Sequence, residues 1–163
     1  MLKLINAMSE LDAEQLLSVC RQTITNQQTD AVDNVALQAE RDFLSYLRET
    51  FFRINGAFYC VWVVDGRYMS AVRFEPYRDG LLLESLETKP SERRKGYAQA
   101  LVSQSLAVLK QTGYRTVYSH IAKGNEPSIA LHGKCGFKEY SDTATLIDGT
   151  VSSRYCTMAY ELN

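Results

Sequence analysis

The chain contains no Cys-x-x-Cys pair: its four cysteines, Cys20, Cys60, Cys135 and Cys156, are scattered along 163 residues. His132 stands close before Cys135, but no second ligand pair joins them, so a zinc site and a disulfide framework are both disfavoured. Reduced, mostly packed thiols and no bound metal are the expectation. Neither a Gly-x-x-x-x-Gly-Lys-Ser/Thr loop nor a Gly-x-Gly-x-x-Gly turn is present, which disfavours a nucleotide-binding protein. Charge of one sign is also lacking, since 18 Lys and Arg face 19 Asp and Glu. Apart from residues 93–95 no face is obviously basic, so nucleic acid is a poor partner and the anion bound there should be small. There is no long apolar run, and Asp and Glu occur within the first fifteen residues of the chain. Neither a signal peptide nor a membrane span is therefore expected, and a cytoplasmic location follows.

What is present suits one domain of residues 1–163: the length is ordinary for a single domain, and 45% hydrophobic residues are enough for one core. No internal repeat, low-complexity segment or linker interrupts it. Residues 2–7 read as a strand. Ser9 and Asp12 open a helix in the manner of a capping box, with Leu11, Leu16, Leu17 and Val19 on its apolar face and an end near Thr25. Residues 26–33 are a polar loop, and Val35, Phe43, Leu44 and Leu47 mark a second amphipathic helix reaching about Glu49. Residues 57–64 and 67–74 are apolar, β-branched or aromatic runs around Asp65-Gly66, which predicts a tight antiparallel hairpin.

A turn over residues 76–80 feeds a strand at 81–88, which Pro90 must end because proline cannot donate to a sheet ladder. An amphipathic helix over 99–110, a strand over 116–121 and a short helix over 127–134 follow. The tail, 137–161, has room for two more strands.

The junction between the strand at 81–88 and its helix carries Arg93-Arg94-Lys95-Gly96-Tyr97-Ala98. A helix N-terminus offers backbone N–H groups without intrahelical partners together with partial positive charge, and anions settle there. Gly96 lets the backbone approach a bulky diphosphate, Ala98 keeps the next turn small, and Arg93, Arg94 and Lys95 add mobile positive charge. The hexapeptide reads as a pyrophosphate site; the plainer alternative is a solvated basic cap.

Here the chain resembles the GNAT superfamily of acetyl-coenzyme A-dependent N-acetyltransferases. Their signature Arg/Gln-x-x-Gly-x-Gly/Ala is matched by Arg93, Gly96 and Ala98. Asn125, followed by Ser128-Ile129-Ala130-Leu131-His132 and Gly136-Phe137, resembles the family's Asn-containing loop, short helix and Gly-Phe strand entry. The resemblance covers essentially the whole chain. It implies an α/β (α+β) GNAT fold, with a mixed, mostly antiparallel sheet of about seven strands flanked by about four helices.

The resemblance further implies acyl transfer from acetyl-CoA, with coenzyme A as co-product, to a primary amine of a small molecule or peptide. It places the main chain of Leu86, Glu87 and Thr88 along the pantetheine arm, with Arg93, Arg94, Lys95, Gly96, Tyr97 and Ala98 on the pyrophosphate. Asn125, Ser128 and His132 would also touch the cofactor. The reaction implied is direct attack of a neutral amine on the thioester, with a backbone N–H near residues 86–88 as oxyanion donor. Glu84, Glu87 and His120 are the polar groups suited to take the amine's proton, directly or through water. In an unbulged strand Glu84 and Glu87 face opposite ways, so only one of them lines the site; the other reading for each is a carboxylate paired with Arg or exposed to water.

Many family members carry a Tyr in the short helix, four residues before the Gly-Phe pair, where it protonates the departing thiolate; this chain has His132. His132 is thus either the acid or a helix-surface residue touching the cofactor, with Tyr118 and Tyr140 in reserve. Arg73 and Glu75, near Tyr77, Trp62 and Tyr59, suit a small acceptor bearing both an amine and a carboxylate, unless the two charges merely pair at a sheet rim. A second function class stays open: a GNAT-fold module that binds acetyl-CoA without turnover, as a sensor or interaction protein. Family members often pair through their late strands, so a homodimer is compatible with the sequence.

Overall fold

The computed structural model describes residues 1–25 and 33–162. Its elements run β1 (Leu2–Ile5), α1 (Ala13–Ile24), α2 (Asp33–Glu49), β2 (Phe58–Val64), β3 (Arg67–Tyr77), β4 (Gly80–Thr88), α3 (Tyr97–Leu109), β5 (Thr116–Ala122), α4 (Glu126–Lys134), β6 (Lys138–Ser141), β7 (Ala144–Thr145), β8 (Val151–Ser152) and β9 (Tyr155–Glu161). The polar loop expected over 26–33 lies outside the described residues, except that Asp33 already opens α2.

Seven strands form one sheet in the order β1-β2-β3-β4-β5-β9-β6, and β7 and β8 make a separate two-stranded ribbon. Every pair in the large sheet is antiparallel except β4 with β5. The expected mixed sheet with four helices is what the chain adopts. The tail differs in detail: it holds four strands rather than two, because residues 144–152 fold back as the ribbon between β6 and β9.

Helices cover both faces. Phe58, Cys60, Val72, Phe74, Leu81, Leu83, Val117 and Ile121 alternate along the strands toward α3, where Leu101, Val102, Leu106 and Leu109 meet them. Tyr59, Val61 and Ala71 point the other way, toward Leu16, Val19 and Cys20 of α1 and Leu47 of α2. This period-two division is what a sheet buried on both faces requires. Cys20, Cys60 and Cys156 are buried free thiols and Cys135 is half-buried.

Local signals explain most boundaries. Asp12, not Ser9, caps α1: its carboxylate accepts from the Gln15 backbone N–H at 3.0 Å. Ser9 lies in a short 3-10 turn one step earlier. The β2–β3 hairpin turns at Asp65-Gly66, with Asp65 at φ 48°, as a primed turn demands.

Two features of β4 position the site. At its start, a Cβ on Gly80 would stand 1.8 Å from the Thr116 carbonyl oxygen, so only glycine lets β4 and β5 come together there. Further on, Arg73 pairs with Glu84 but Ala71 pairs with Glu87, leaving Val72 opposite both Ser85 and Leu86. Ser85, at φ 49°, is the residue that makes this β-bulge.

Candidate active site

Strands β4 and β5 pair only through Leu81–Leu83 and Val117–Ser119. Beyond Leu83 they diverge, so the β5-facing main-chain edge of residues 84–88 has no ladder partner among the described residues. A β-strand edge is a row of hydrogen-bonding groups ready for an extended ligand. The N-terminus of α3 opens beside it.

A cleft of about 470 Å³ lies at this end, lined by Thr88, Arg94, Gly96, Tyr97, Ala98 and Gln99 on one side and Pro127, Ala130, Leu131 and Lys134 on the other. Gly96 caps α3 with φ 83° and ψ 2°, a left-handed conformation that an L side chain resists. A Cβ there would meet nothing within 4 Å, so the space beside the helix N-terminus is open to a ligand. Arg94 (φ 63°) is also left-handed. Its neighbours are engaged elsewhere: Lys95 Nζ bonds Glu92 at 2.8 Å, and Arg93 Nε donates to the Thr88 carbonyl at 3.4 Å.

Of the residues expected at a cofactor, Thr88, Arg94, Gly96, Tyr97 and Ala98 thus share one cleft. Leu86 and Glu87 lie on the free strand edge next to it. Asn125 serves as the cap of α4, accepting from the Ser128 N–H at 3.2 Å. Gln99, Pro127, Ala130, Leu131 and Lys134 were not anticipated. The last four recur at the three- and four-residue spacing of a single helix face, and that periodicity was the available signal.

His132 is not on the helix surface, contrary to one of the two expectations for it. It is 1% exposed, with its ring edge-on to Phe137 at 5.0 Å. Nδ1 donates to the Ser128 carbonyl at 2.8 Å, and Nε2 is buried without a partner. Since a carbonyl only accepts, the proton sits on Nδ1. Burial holds the pKa of this ring below that of an ordinary histidine, so it is neutral at neutral pH.

The expectation that Glu84 and Glu87 face opposite ways is overturned by the bulge. One extra residue between them brings both carboxylates to the α1–α2 side. Glu84 accepts from Arg73 Nε at 3.1 Å, and Glu87 accepts from Thr23 Oγ1 of α1 at 2.8 Å. Burial raises the pKa of Glu87, with the Thr23 bond and Arg93 working against the shift. Ser70 Oγ donates to the Glu87 carbonyl at 2.6 Å and fixes the backbone there.

Arg73 and Glu75 do not pair at a rim. The guanidinium of Arg73 is tied to Glu84 and lies over the rings of Tyr46 at 5.4 Å and Phe51 at 5.6 Å. Glu75 is 6% exposed. Burial and the neighbouring Glu84 carboxyl, within hydrogen-bonding reach, push its pKa up to about 7. Trp62 does not join them: it packs with the core on the α3 side, across the sheet.

His120 is half-buried with Nε2 unpartnered, its ring 5.3 Å from Tyr77, and burial lowers its pKa. Tyr118 donates to Asp79 at 2.8 Å, and Tyr140 accepts from Arg78 at 3.2 Å. Both tyrosines therefore sit at the β3–β4 turn, the far end of β4 from Thr88 and the cleft. No group of three or more His, Cys, Asp or Glu suited to a metal occurs among the described residues, nor does any helix long and apolar enough to cross a membrane.

The sequence profile of the Acetyltransferase (GNAT) family matches residues 22–137. No curated protein matches the chain by sequence. Among solved structures, a PaiA N-acetyltransferase from Thermoplasma acidophilum in complex with coenzyme A superposes with a TM-score of 0.69 at 14% identity, covering 99% of each chain. A ribosomal-protein-alanine N-acetyltransferase from Brucella melitensis gives 0.70 at 20% identity, again over 99% of each chain. An N-acetyltransferase from Staphylococcus aureus Mu50 gives 0.64 at 22% identity, over 100% of this chain and 98% of the other. At such identities the likeness is one of fold.

Proposed function

The chain belongs to the GNAT acetyltransferase family, and from that premise we propose that it is an N-acetyltransferase that uses acetyl-CoA to acetylate a primary amine of a small molecule or peptide. The observation that carries this reading is the free strand edge of residues 84–88 running into the cleft at the N-terminus of α3.

The residues fit acetyl-CoA. The unpaired main chain at Leu86, Glu87 and Thr88 suits the amide groups of a pantetheine arm. The first-turn N–H groups of α3 beside the left-handed Gly96 suit its pyrophosphate, with Arg94 and Lys134 at the margins. When bound, acetyl-CoA supplies an activated acyl group as a thioester.

The chain's own part is to orient the amine and remove its proton. Glu87 lies on the β4 face opposite the α3 core, held by Thr23, and its raised pKa makes it a better proton acceptor near neutrality than an ordinary carboxylate. Glu84, on the same face, is fixed by Arg73. His132 has no part in proton transfer in this reading, because its one proton is committed to the Ser128 carbonyl and a second is opposed by burial.

The test is calorimetric titration with acetyl-CoA, followed by thiol-release assays with a panel of amines. Micromolar binding and amine-dependent thiol release are expected. Binding without release for any amine would turn the reading into that of a non-catalytic acetyl-CoA module, and absence of binding would remove both.

A further inference from the structure

Resting on that reading, we propose that Ser70 is a positioning residue for the cofactor: it draws the hydroxyl proton of Thr88 inward, so that Thr88 Oγ1 meets the pantetheine arm as a hydrogen-bond acceptor. The group Thr88 receives is an amide N–H or the hydroxyl of that arm.

Ser70 stands where packing alone would favour an apolar side chain. Phe74, Val72 and Ser70 follow one another on the α3-facing side of β3, and the first two belong to the apolar core there. Ser70 is as deeply buried as they are, at 0% exposed, and its neighbour across the ladder on β2 is Trp62. A hydroxyl taken out of water costs free energy unless it is bonded, so its presence here depends on its partners. On β4 the residue directly opposite is Thr88, which is also where that strand reaches the cleft.

The direction of each bond in this group follows from the one before it. Ser70 Oγ lies 2.6 Å from the Glu87 carbonyl oxygen and 3.1 Å from Thr88 Oγ1. A carbonyl only accepts, so the single proton of Ser70 goes to Glu87. Toward Thr88, Ser70 is then an acceptor, and the Thr88 hydroxyl donates its own proton to it. Thr88 Oγ1 is left with lone pairs and no proton for the cleft. Its main-chain carbonyl is already met by Arg93 Nε at 3.4 Å.

An oxygen of this polarity sorts the two halves of the ligand. The pantetheine arm carries amide N–H groups and a hydroxyl, which suit an acceptor. The pyrophosphate offers only acceptor oxygens, which Thr88 Oγ1 repels and the first-turn N–H groups of α3 attract. Ser70 therefore helps to set how far along β4 the arm lies, without touching the cofactor itself.

Coenzyme A binding is measured by calorimetry on the wild-type protein, Ser70→Ala, Thr88→Val and the double variant. Adenosine 3′,5′-bisphosphate, which keeps the nucleotide and lacks the arm, is measured by competition on the same four proteins. Thr88→Val should weaken coenzyme A about fivefold, the size of one neutral hydrogen bond, and Ser70→Ala about threefold, because Thr88 is then free to turn its proton outward. The double variant should match Thr88→Val within about twofold, as coupled residues do. The bisphosphate should bind all four alike. Unchanged coenzyme A binding in Ser70→Ala overturns the proposal. So do losses that multiply in the double variant, or a bisphosphate affinity that falls in step with that of coenzyme A. If Ser70→Ala does not fold, Thr88→Val decides: a loss for coenzyme A alone supports the relay, and no loss, or an equal loss for both ligands, removes it. A wild-type protein without affinity for coenzyme A defeats the acetyltransferase reading and this proposal with it, whereas wild-type binding that Thr88→Val leaves intact defeats the proposal alone.

Discussion

Glu84 and Glu87 point to the same side of the sheet, although three positions along a regular strand would set them on opposite sides. The cause is the bulge at Ser85, whose φ of 49° adds one residue to β4 between the pairs Arg73–Glu84 and Ala71–Glu87. A left-handed conformation at a non-glycine residue costs about 1–2 kcal/mol, and the surrounding ladder maintains it.

Ser85→Val tests this relationship. Valine is stiff at χ1 and resists positive φ more than serine does. Urea unfolding should show a loss of about 1–2 kcal/mol, and the rate of thiol release should fall with it, because flattening the strand turns one carboxylate away from the acceptor. Unchanged stability together with unchanged rate would mean that the bulge is not needed to gather the two groups.

Gly96→Val should weaken acetyl-CoA binding by tenfold or more, while unfolding experiments register a loss of only about 1–2 kcal/mol. The added side chain projects into open space beside the first turn of α3, so the fold has little to lose beyond the cost of positive φ, about 1–2 kcal/mol. The ligand would lose the approach to the helix N–H groups. Calorimetry with acetyl-CoA reads the outcome, and retained affinity would separate Gly96 from the pyrophosphate.

These two positions mark what was legible in the sequence. Gly96 belongs to a signal carried by neighbours in the chain: a strand, a basic turn and a helix start within a few residues. Asp65-Gly66 is likewise local, and both appear in the fold where the residues indicate. The bulge at Ser85 is a fact about two strands in register, and nothing in residues 81–88 alone distinguishes it from regular alternation. Trp62 fails for the same reason. It pairs with Ser70, one step out of phase with Ala71 and Arg73, so it faces the α3 core. The α4 face of Pro127, Ala130, Leu131 and Lys134 was within reach of helical periodicity, but the motif drew attention to Asn125 and Ser128, which satisfy the helix itself.

The buried carboxyl pair gives a pH signature. Burial and Glu84 raise Glu75 to about 7, opposed by Arg73, and Tyr46 is the other titratable group facing it. The folded protein therefore holds a proton that the unfolded chain releases in the ordinary carboxyl range. With more protons bound folded than unfolded, stability falls as pH rises from about 4.5 toward 7 and is then level with respect to this group. Glu75→Gln should remove that descent in unfolding experiments across the same range. A descent that persists in the variant would assign it to other groups.

His132 titrates in the opposite sense. Burial depresses its pKa in the folded protein, so its contribution to stability is present above the ordinary histidine value of about 6.5 and is lost as pH falls below it. His132→Ala removes a ring packed on Phe137 and the hydrogen bond to Ser128, and should cost about 2–4 kcal/mol. If the ring is structural, the variant that remains folded keeps its kcat at pH 7 to 8 within a few-fold, and the loss of stability on acidification becomes shallower. An acid that protonates the leaving thiolate behaves differently: kcat would fall at least tenfold at unchanged KM, with the alkaline limb of the rate profile abolished. The two outcomes separate a histidine that holds α4 onto Phe137 from one that moves a proton.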